Sequence, residues 1–181
     1  MLPERVLSSP VVLRRLAIGD AARVQLLAGE REVAEMTGLI PHPYPDGAAE
    51  TFITEQGLAW DTGKEYNYVV AASDGELLAG VVGLRPAPGE RENLGYWIGR
   101  PYWGCGYATA ALRAMIALGF GLLDVEKLTA SHLARNPASG RVMEKCGMRL
   151  LATGEREHRG AVEAYCVRGI TRQEWERGGA R

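Results

Sequence analysis

Hydrophobic and polar positions along the chain change their period repeatedly, and each change marks an element. Over residues 11–16 the run Val-Val-Leu-Arg-Arg-Leu reads as a strand, and Asp20 stands at a helix start before residues 21–27. A second helix is expected near residues 46–61, where Ala49, Phe52, Ile53 and Leu58 recur at near-helical intervals; Pro41, Pro43 and Pro45 exclude a helix just before it. Residues 66–72 and 77–84 are strand-like and flank Ser73-Asp74-Gly75, a hairpin signal. A third run, 93–99, follows the Pro86-Ala87-Pro88-Gly89 turn, so three successive antiparallel strands are expected, with a bulge at Gly95. Beyond a loop over 100–106, residues 107–122 pattern as a helix. Ala108, Ala111, Leu112, Met115 and Leu122 share one face and Arg113 is the only charge, so the helix should be largely buried. Residues 127–133 read as a strand and 137–146 as a helix stopped by Gly147. Strands over 148–152 and 162–170 follow, joined by Gly154-Glu155-Arg156-Glu157-His158-Arg159-Gly160, with Glu155 to Arg159 as a solvated hairpin tip. The pattern is that of an α/β protein (α+β mixed sheet), antiparallel in its first half, in one domain over 1–181.

Composition narrows the function classes. The 181 residues are 46% hydrophobic and 24% charged, which supplies a core and excludes disordered, collagen-like and coiled-coil chains. Lys and Arg number 21 against 22 Asp and Glu, a formal charge of -1, so the positive field that holds a nucleic-acid backbone is missing. Cys105, Cys146 and Cys166 show no CxxC spacing and no histidine at ligand intervals; neither a disulfide framework nor a metal site is expected. The apolar stretch 108–125 is broken by Arg113 and Asp124, and Glu4, Arg5, Arg14 and Arg15 interrupt the first twenty residues. No membrane span and no leader are expected, and the location indicated is a reducing cytoplasm.

The segment Gly95 to Phe120 carries the chemistry. Gly104 and Gly106 lie between a strand end and a buried helix, where open backbone N–H groups and the positive helix end favour a phosphate, without any lysine. Taken alone, the two glycines are also satisfied by a tight strand-to-helix connection. A dinucleotide fingerprint would need Gly or Ala where Thr109 stands and would open a βαβ unit, and GxxxxGK[ST] is absent, so a nucleotide-dependent oxidoreductase rests on an incomplete pattern.

A second motif, Ala134 to Met148, decides among these readings. Together, Tyr96-Trp97-Ile98, Tyr102-Trp103-Gly104-Cys105-Gly106-Tyr107-Ala108-Thr109, Asn136-Pro137-Ala138-Ser139 and Met143-Glu144-Lys145-Cys146-Gly147-Met148 resemble the GNAT acetyltransferase superfamily. The branch most resembled includes the ribosomal-protein N-terminal-alanine acetyltransferases. This resemblance implies the acyl-CoA N-acyltransferase fold, a mostly antiparallel sheet with a splayed central strand pair, and acetyl-CoA as co-substrate with no metal. It implies that Trp103, Gly104, Cys105, Gly106, Tyr107, Ala108 and Thr109 wrap the pyrophosphate, and that pantetheine pairs along Trp97, Ile98 and Gly99 as an added strand would. Asn136 would contact the pantetheine arm and Ser139 the thioester sulfur. The partner implied is an amine acceptor, a small molecule or a protein N-terminus; a homodimer follows by analogy alone.

Departures from the superfamily pattern shape the mechanism. Pro101 occupies the first position of the phosphate loop, with Arg100 one residue early; Met143 stands where many members carry a tyrosine acid, which leaves Ser139 as proton donor. Asn93 takes the position at which the branch often has a glutamate, so Ser139 and Asn93 are the catalytic candidates, while Glu92 by strand alternation should face away. A missing base is tolerable. An α-amine costs only about 1.4 kcal/mol to deprotonate at pH 7, whereas a lysine side chain costs about 4.6 kcal/mol, so an α-amine or similarly weak base is the expected acceptor. A non-catalytic acyl-CoA-binding module is the alternative from another class. Cys105, near a helix start, has no base apparent beside it; Cys146 and Cys166 read as core residues, and His42, His132 and His158 are scattered.

Overall fold

The computed structural model describes residues 2–72, 76–87 and 92–178. In chain order its elements are strands β1 (Arg5–Ser8) and β2 (Val11–Arg15), helices α1 (Ala21–Ala28), α2 (Arg31–Ala34) and α3 (Ala48–Asp61), strands β3 (Tyr66–Ala72), β4 (Leu78–Leu84) and β5 (Leu94–Ile98), helix α4 (Tyr107–Leu122), strand β6 (Lys127–Leu133), helix α5 (Pro137–Lys145), strands β7 (Arg149–His158) and β8 (Ala161–Thr171), and helix α6 (Arg172–Gly178). The strands form two antiparallel sheets, one ordered β1-β2-β3-β4-β5 and the other β6-β8-β7. No backbone ladder joins β5 to β6, so the facing edges of the two sheets are held by other means.

Helix α4 covers the seam. Its Ala111, Leu112, Met115, Ile116 and Phe120 pack against Leu13, Tyr68, Val70, Val82 and Leu84 of the larger sheet and Leu128 and Ala130 of the smaller. Each such aliphatic side chain contributes about 1.5–3 kcal/mol when fully buried. On the opposite face of the larger sheet, Val24, Leu27 and Ile53 of α1 and α3 pack on Val69, Ala71, Leu78 and Val81. Strands β3 and β4 are covered on both faces, which is why their sequences are nearly continuous apolar runs rather than alternating ones. The C-terminal end of α4 is closed by Arg172, whose guanidinium donates to the carbonyls of Phe120, Leu123 and Val125.

Several expectations need correction. The β4–β5 register is unbroken through Gly95, so there is no bulge there; a Cβ at Gly95 would meet nothing within 4 Å, and the residue borders open space. Register shifts occur instead between Val70 and Ala71 and between Leu150 and Ala152. Glu155 to His158 belong to the β7–β8 ladder, leaving a two-residue turn at Arg159 and Gly160, both left-handed at φ 54° and 79°, as a tight hairpin of this twist requires. Leu122 is 58% exposed, because the core contacts of α4 end with Phe120. Ser73-Asp74-Gly75 and the Pro88-Gly89 half of the next turn lie outside the described residues, while the strands on either side of each are antiparallel as anticipated.

Candidate active site

The gap between β5 and β6 is closed at one end by side chains. Asn93, just before β5, donates from Nδ2 to the Arg85 carbonyl at 3.0 Å, and its Oδ1 accepts from the Thr129 hydroxyl at 3.2 Å. The Oδ1 bond joins the two sheets and the Nδ2 bond ties Asn93 back to the β4–β5 ladder, so both ends of the amide are engaged within the protein. Glu92 Oε1 accepts from Arg156 Nη2 at 3.0 Å, and the carboxylate also accepts from the Ser131 side chain. Burial alone would raise the Glu92 carboxyl; its own backbone N–H, Arg156 and Ser131 outweigh that and hold it below the usual carboxylate range. Glu92 therefore does not face away as alternation suggested, because β5 begins only at Leu94 and the strand period does not reach back to residue 92.

At the other end the gap stays open. Gly99 N–H donates to Ala79 O and Arg85 N–H to Asn93 O, both at 2.8 Å, so the odd-numbered residues of β5 bond to β4. Trp97 thus turns its backbone into the ladder, and the Gly99 carbonyl accepts from Tyr102 N–H at 2.9 Å. The backbone groups that face β6 belong to Tyr96 and Ile98, and the Ile98 carbonyl accepts the Trp103 indole N–H at 2.7 Å. An extended ligand in the gap would meet Tyr96 and Ile98, not Trp97 and Gly99: the alternation along β5 corrects the expected edge by one residue. Gly99 is small for another reason, since a Cβ there would lie 2.9 Å from Leu27 Cδ2.

Beyond Trp103 the chain turns through Gly104 and Gly106 with φ of 77° and 79°, and a Cβ at either would meet nothing within 4 Å. Conformation, not crowding, requires glycine here. The first helical bond of α4 runs from Ala110 N–H to Gly106 O at 3.0 Å; among the described residues nothing accepts from the N–H groups of residues 104–109. Gly104, Cys105 and Gly106 are exposed, and Tyr107, Ala108 and Thr109 half-buried. A run of unengaged backbone donors at the positive end of a long helix is suited to a pyrophosphate. The Arg100 guanidinium pairs with Glu32 at 2.8 Å.

Across the gap, Asn136 caps α5, its Oδ1 accepting the Ser139 N–H at 3.2 Å, with Pro137 at the first helical position. The cap fixes Ser139, whose Oγ lies 2.8 Å from the Tyr96 hydroxyl; that hydroxyl also reaches the Ser139 carbonyl at 3.1 Å. Burial pushes the Tyr96 phenol up and keeps it a neutral donor. A phenol hydrogen directed at Oγ frees the serine hydrogen for another acceptor. Tyr96 joins the candidate site beyond the residues expected from sequence: it is legible as the first residue of a strand motif, and nothing local shows that it meets Ser139, 43 positions away.

Cys105 is exposed with Sγ 3.7 Å from the Trp103 carbonyl, and among the described residues no base is bonded to it. Burial raises the Cys146 thiol to about 11, and it donates to Thr109 O at 3.5 Å. His132 is buried behind Gly140, with Nδ1 2.9 Å from the Leu133 carbonyl, on the α5 side of β6. His158 Nε2 lies 3.0 Å from Glu35 O, and His42 Nδ1 3.1 Å from Gly29 O.

This architecture can be compared with known proteins. The model of the acetyltransferase (GNAT) domain matches residues 11–149. The chain belongs to the GNAT acetyltransferase family. It is 33% identical over 145 residues to YkkB of Bacillus subtilis, an uncharacterised protein, covering 72% of this chain and 83% of that one. Among solved structures it resembles RimL, a ribosomal α-N-protein acetyltransferase in complex with coenzyme A, with a TM-score of 0.82 at 14% identity over 93% of this chain and 98% of that one. Spermidine N-acetyltransferase from Vibrio cholerae, in complex with coenzyme A and spermine, gives 0.77 at 19% identity over 93% and 99%. As a GNAT acetyltransferase the chain is an acetyl-CoA-dependent acyltransferase with the expected mixed α/β fold.

Proposed function

We propose that the chain transfers acetyl from acetyl-CoA to a primary amine, a small-molecule amine or a protein N-terminal α-amine, by direct transfer in a ternary complex. The observation that carries this reading is the open end of the gap, where unengaged N–H groups of residues 104–109 stand at one side and the Ser139–Tyr96 hydroxyl pair at the other. The loop amides, with Trp103 braced on Ile98, hold the pyrophosphate; Tyr96 and Ile98 flank the pantetheine arm, and Asn136 and Ser139 meet it from α5. When bound, acetyl-CoA supplies the thioester whose C–S bond breaks as the amine nitrogen bonds to the acetyl carbon.

In that exchange the Ser139 hydroxyl hydrogen-bonds to the departing sulfur and the Tyr96 hydroxyl to Ser139, both keeping their hydrogens; the sulfur leaves as thiolate and the amine proton leaves to water. A thiolate of pKa near 8.5 departs without full protonation, so the serine assists rather than decides. Positioning carries most of the rate, effective molarities of about 10⁵ M or more being available to well-held reactants. Asn93 acts as a positioning residue. Coenzyme A binding by calorimetry and thioester consumption over an amine panel test the reading together. Heat with coenzyme A and turnover with α-amines at neutral pH is the expected result. Absence of heat removes the donor site, saturable binding without turnover favours an acyl-CoA-binding module, and faster acetylation of lysine side chains than of α-amines removes the weak-base acceptor.

A further inference from the structure

Within that acetyl-transfer reading, on which this inference rests, we propose that Arg156 anchors an anionic oxygen group of the acceptor and that the amines taken are small α-amino carboxylates. The guanidinium of Arg156 lies on the face of the Tyr165 ring, 3.7 Å from its centroid. The ring in turn lies over Gly154, where a Cβ would come within 3.1 Å of it, so glycine leaves the stack its room. One nitrogen, Nη2, is held by Glu92, whose carboxylate is itself fixed by the Ser131 side chain. The fork has five N–H donors, and among the described residues Glu92 is its only hydrogen-bond partner, although the side chain is just 40% exposed.

Two neighbouring arginines, Arg135 after β6 and Arg159 in the β7–β8 turn, are used differently. Arg135 grips Glu163 with two nitrogens and the Glu35 carbonyl besides, and Arg159 donates to the carbonyls of Ala34 and Ile40, which ties the segment after α1 to the β7–β8 hairpin. Those contacts are structural and close on themselves. Arg156 is equally immobilised but leaves the rest of its fork unspent.

Its location suits an acceptor. Register places Arg156 opposite Glu163 and Tyr165 opposite Leu133, so Arg156, Tyr165, Leu133, Ser131 and Thr129 share one face of the smaller sheet. Leu128, Ala130 and Met143 pack on the other face, with α4 and α5. The bond from Arg156 to Glu92 brings the stack to the rim of the β5–β6 gap, on the sheet face away from α5 and its Ser139. A planar guanidinium whose rotation is blocked by a ring and a carboxylate is pre-organised for a bidentate carboxylate. The adjoining Glu92 charge offsets that of Arg156 and complements an ammonium, so the pair matches an amino-acid zwitterion.

The experiment compares an α-amino acid with its carboxamide and its decarboxylated amine as acceptors. Because the amine of a free amino acid is a stronger base than that of its carboxamide, kcat/KM is compared per unprotonated amine. On that basis the wild type is expected to favour the acid by about tenfold or more, the worth of one charge-assisted contact pair. Arg156→Gln should raise KM for the acid about tenfold more than for the carboxamide, and Arg156→Lys should restore part of the difference; coenzyme A binding heat checks that each variant is folded. Equal losses on acid and carboxamide in Arg156→Gln would make Arg156 a brace and overturn the proposal. So would a wild-type protein with no preference among the three, a result that needs no variant. If coenzyme A gives no heat and no amine is acetylated, the parent reading has failed instead.

Discussion

The two ends of the β5–β6 gap are built from opposite kinds of bonding. At the closed end the side chains of Asn93 and Glu92 are engaged inside the protein, Asn93 on Arg85 and Thr129, Glu92 on Arg156 and Ser131, while Arg156 keeps part of its fork open. At the open end backbone donors over residues 104–109 are left unengaged, and only Trp103 and the Tyr96–Ser139 pair are tied down. A protein leaves buried or half-buried donors without acceptors where a ligand will supply them, and satisfies them where two sheets must stay together. The difference predicts that substitutions at the open end should change coenzyme A binding and turnover, and substitution of Asn93 at the closed end should change stability.

The largest effect is expected at the open end. Gly106→Val places a β-branched residue at φ 79°, which costs about 1–2 kcal/mol and turns the loop amides away from their common target. Coenzyme A affinity should fall about a hundredfold, the worth of one or two charge-assisted hydrogen bonds, measured by calorimetry. A folded variant with wild-type affinity would disconnect the loop from the phosphate.

Turnover should respond next. Ser139→Ala and Tyr96→Phe are each expected to lower kcat about tenfold, below the usual range for an essential acid because the thiolate leaves readily. Acetyl-CoA affinity should stay nearly intact in both. The double variant should be little worse than either single one, since the two hydroxyls act as a unit. Loss of affinity without loss of kcat would assign the pair to binding instead.

At the closed end, Asn93→Ala removes two hydrogen bonds and should cost about 1–2 kcal/mol, read as a thermal midpoint lower by a few degrees, with coenzyme A binding unchanged. A variant as stable as the parent but unable to turn over would restore Asn93 to the chemistry.

What was legible in the sequence follows the same division. Strands β3 and β6 and helix α4 match their expected bounds, because β3 and α4 are long apolar runs and β6 alternates between buried and less buried positions. The loop glycines were legible since a positive φ has a residue signature. Strand β1 and helix α2 have four residues each, too few to show a period, and α6 is a polar stretch that packs by Trp175 on Phe120. The Ser139–Tyr96 pair and the Glu92–Arg156 bridge span 43 and 64 positions, and no local pattern encodes either. The Glu92 expectation rests on strand alternation, which stops at Leu94, so its direction differs for a local reason.

The smallest effect is a pH dependence of the closed end. The Glu92 carboxyl is held below its ordinary range when folded, so the unfolded chain binds the extra proton first on acidification. The stability this contributes is fully present above about pH 4.3, the unfolded value, and is lost as pH falls through the lower folded one. Because Glu92 is only partly shielded from solvent, the contribution should be under about 1 kcal/mol. Denaturant melts between pH 6 and 3 on wild type and Glu92→Gln should therefore converge as pH drops, the variant losing less. Parallel lines would mean that Arg156 and Ser131 do not favour the charged carboxylate, and the closed end would owe its strength to Asn93 and Thr129 alone.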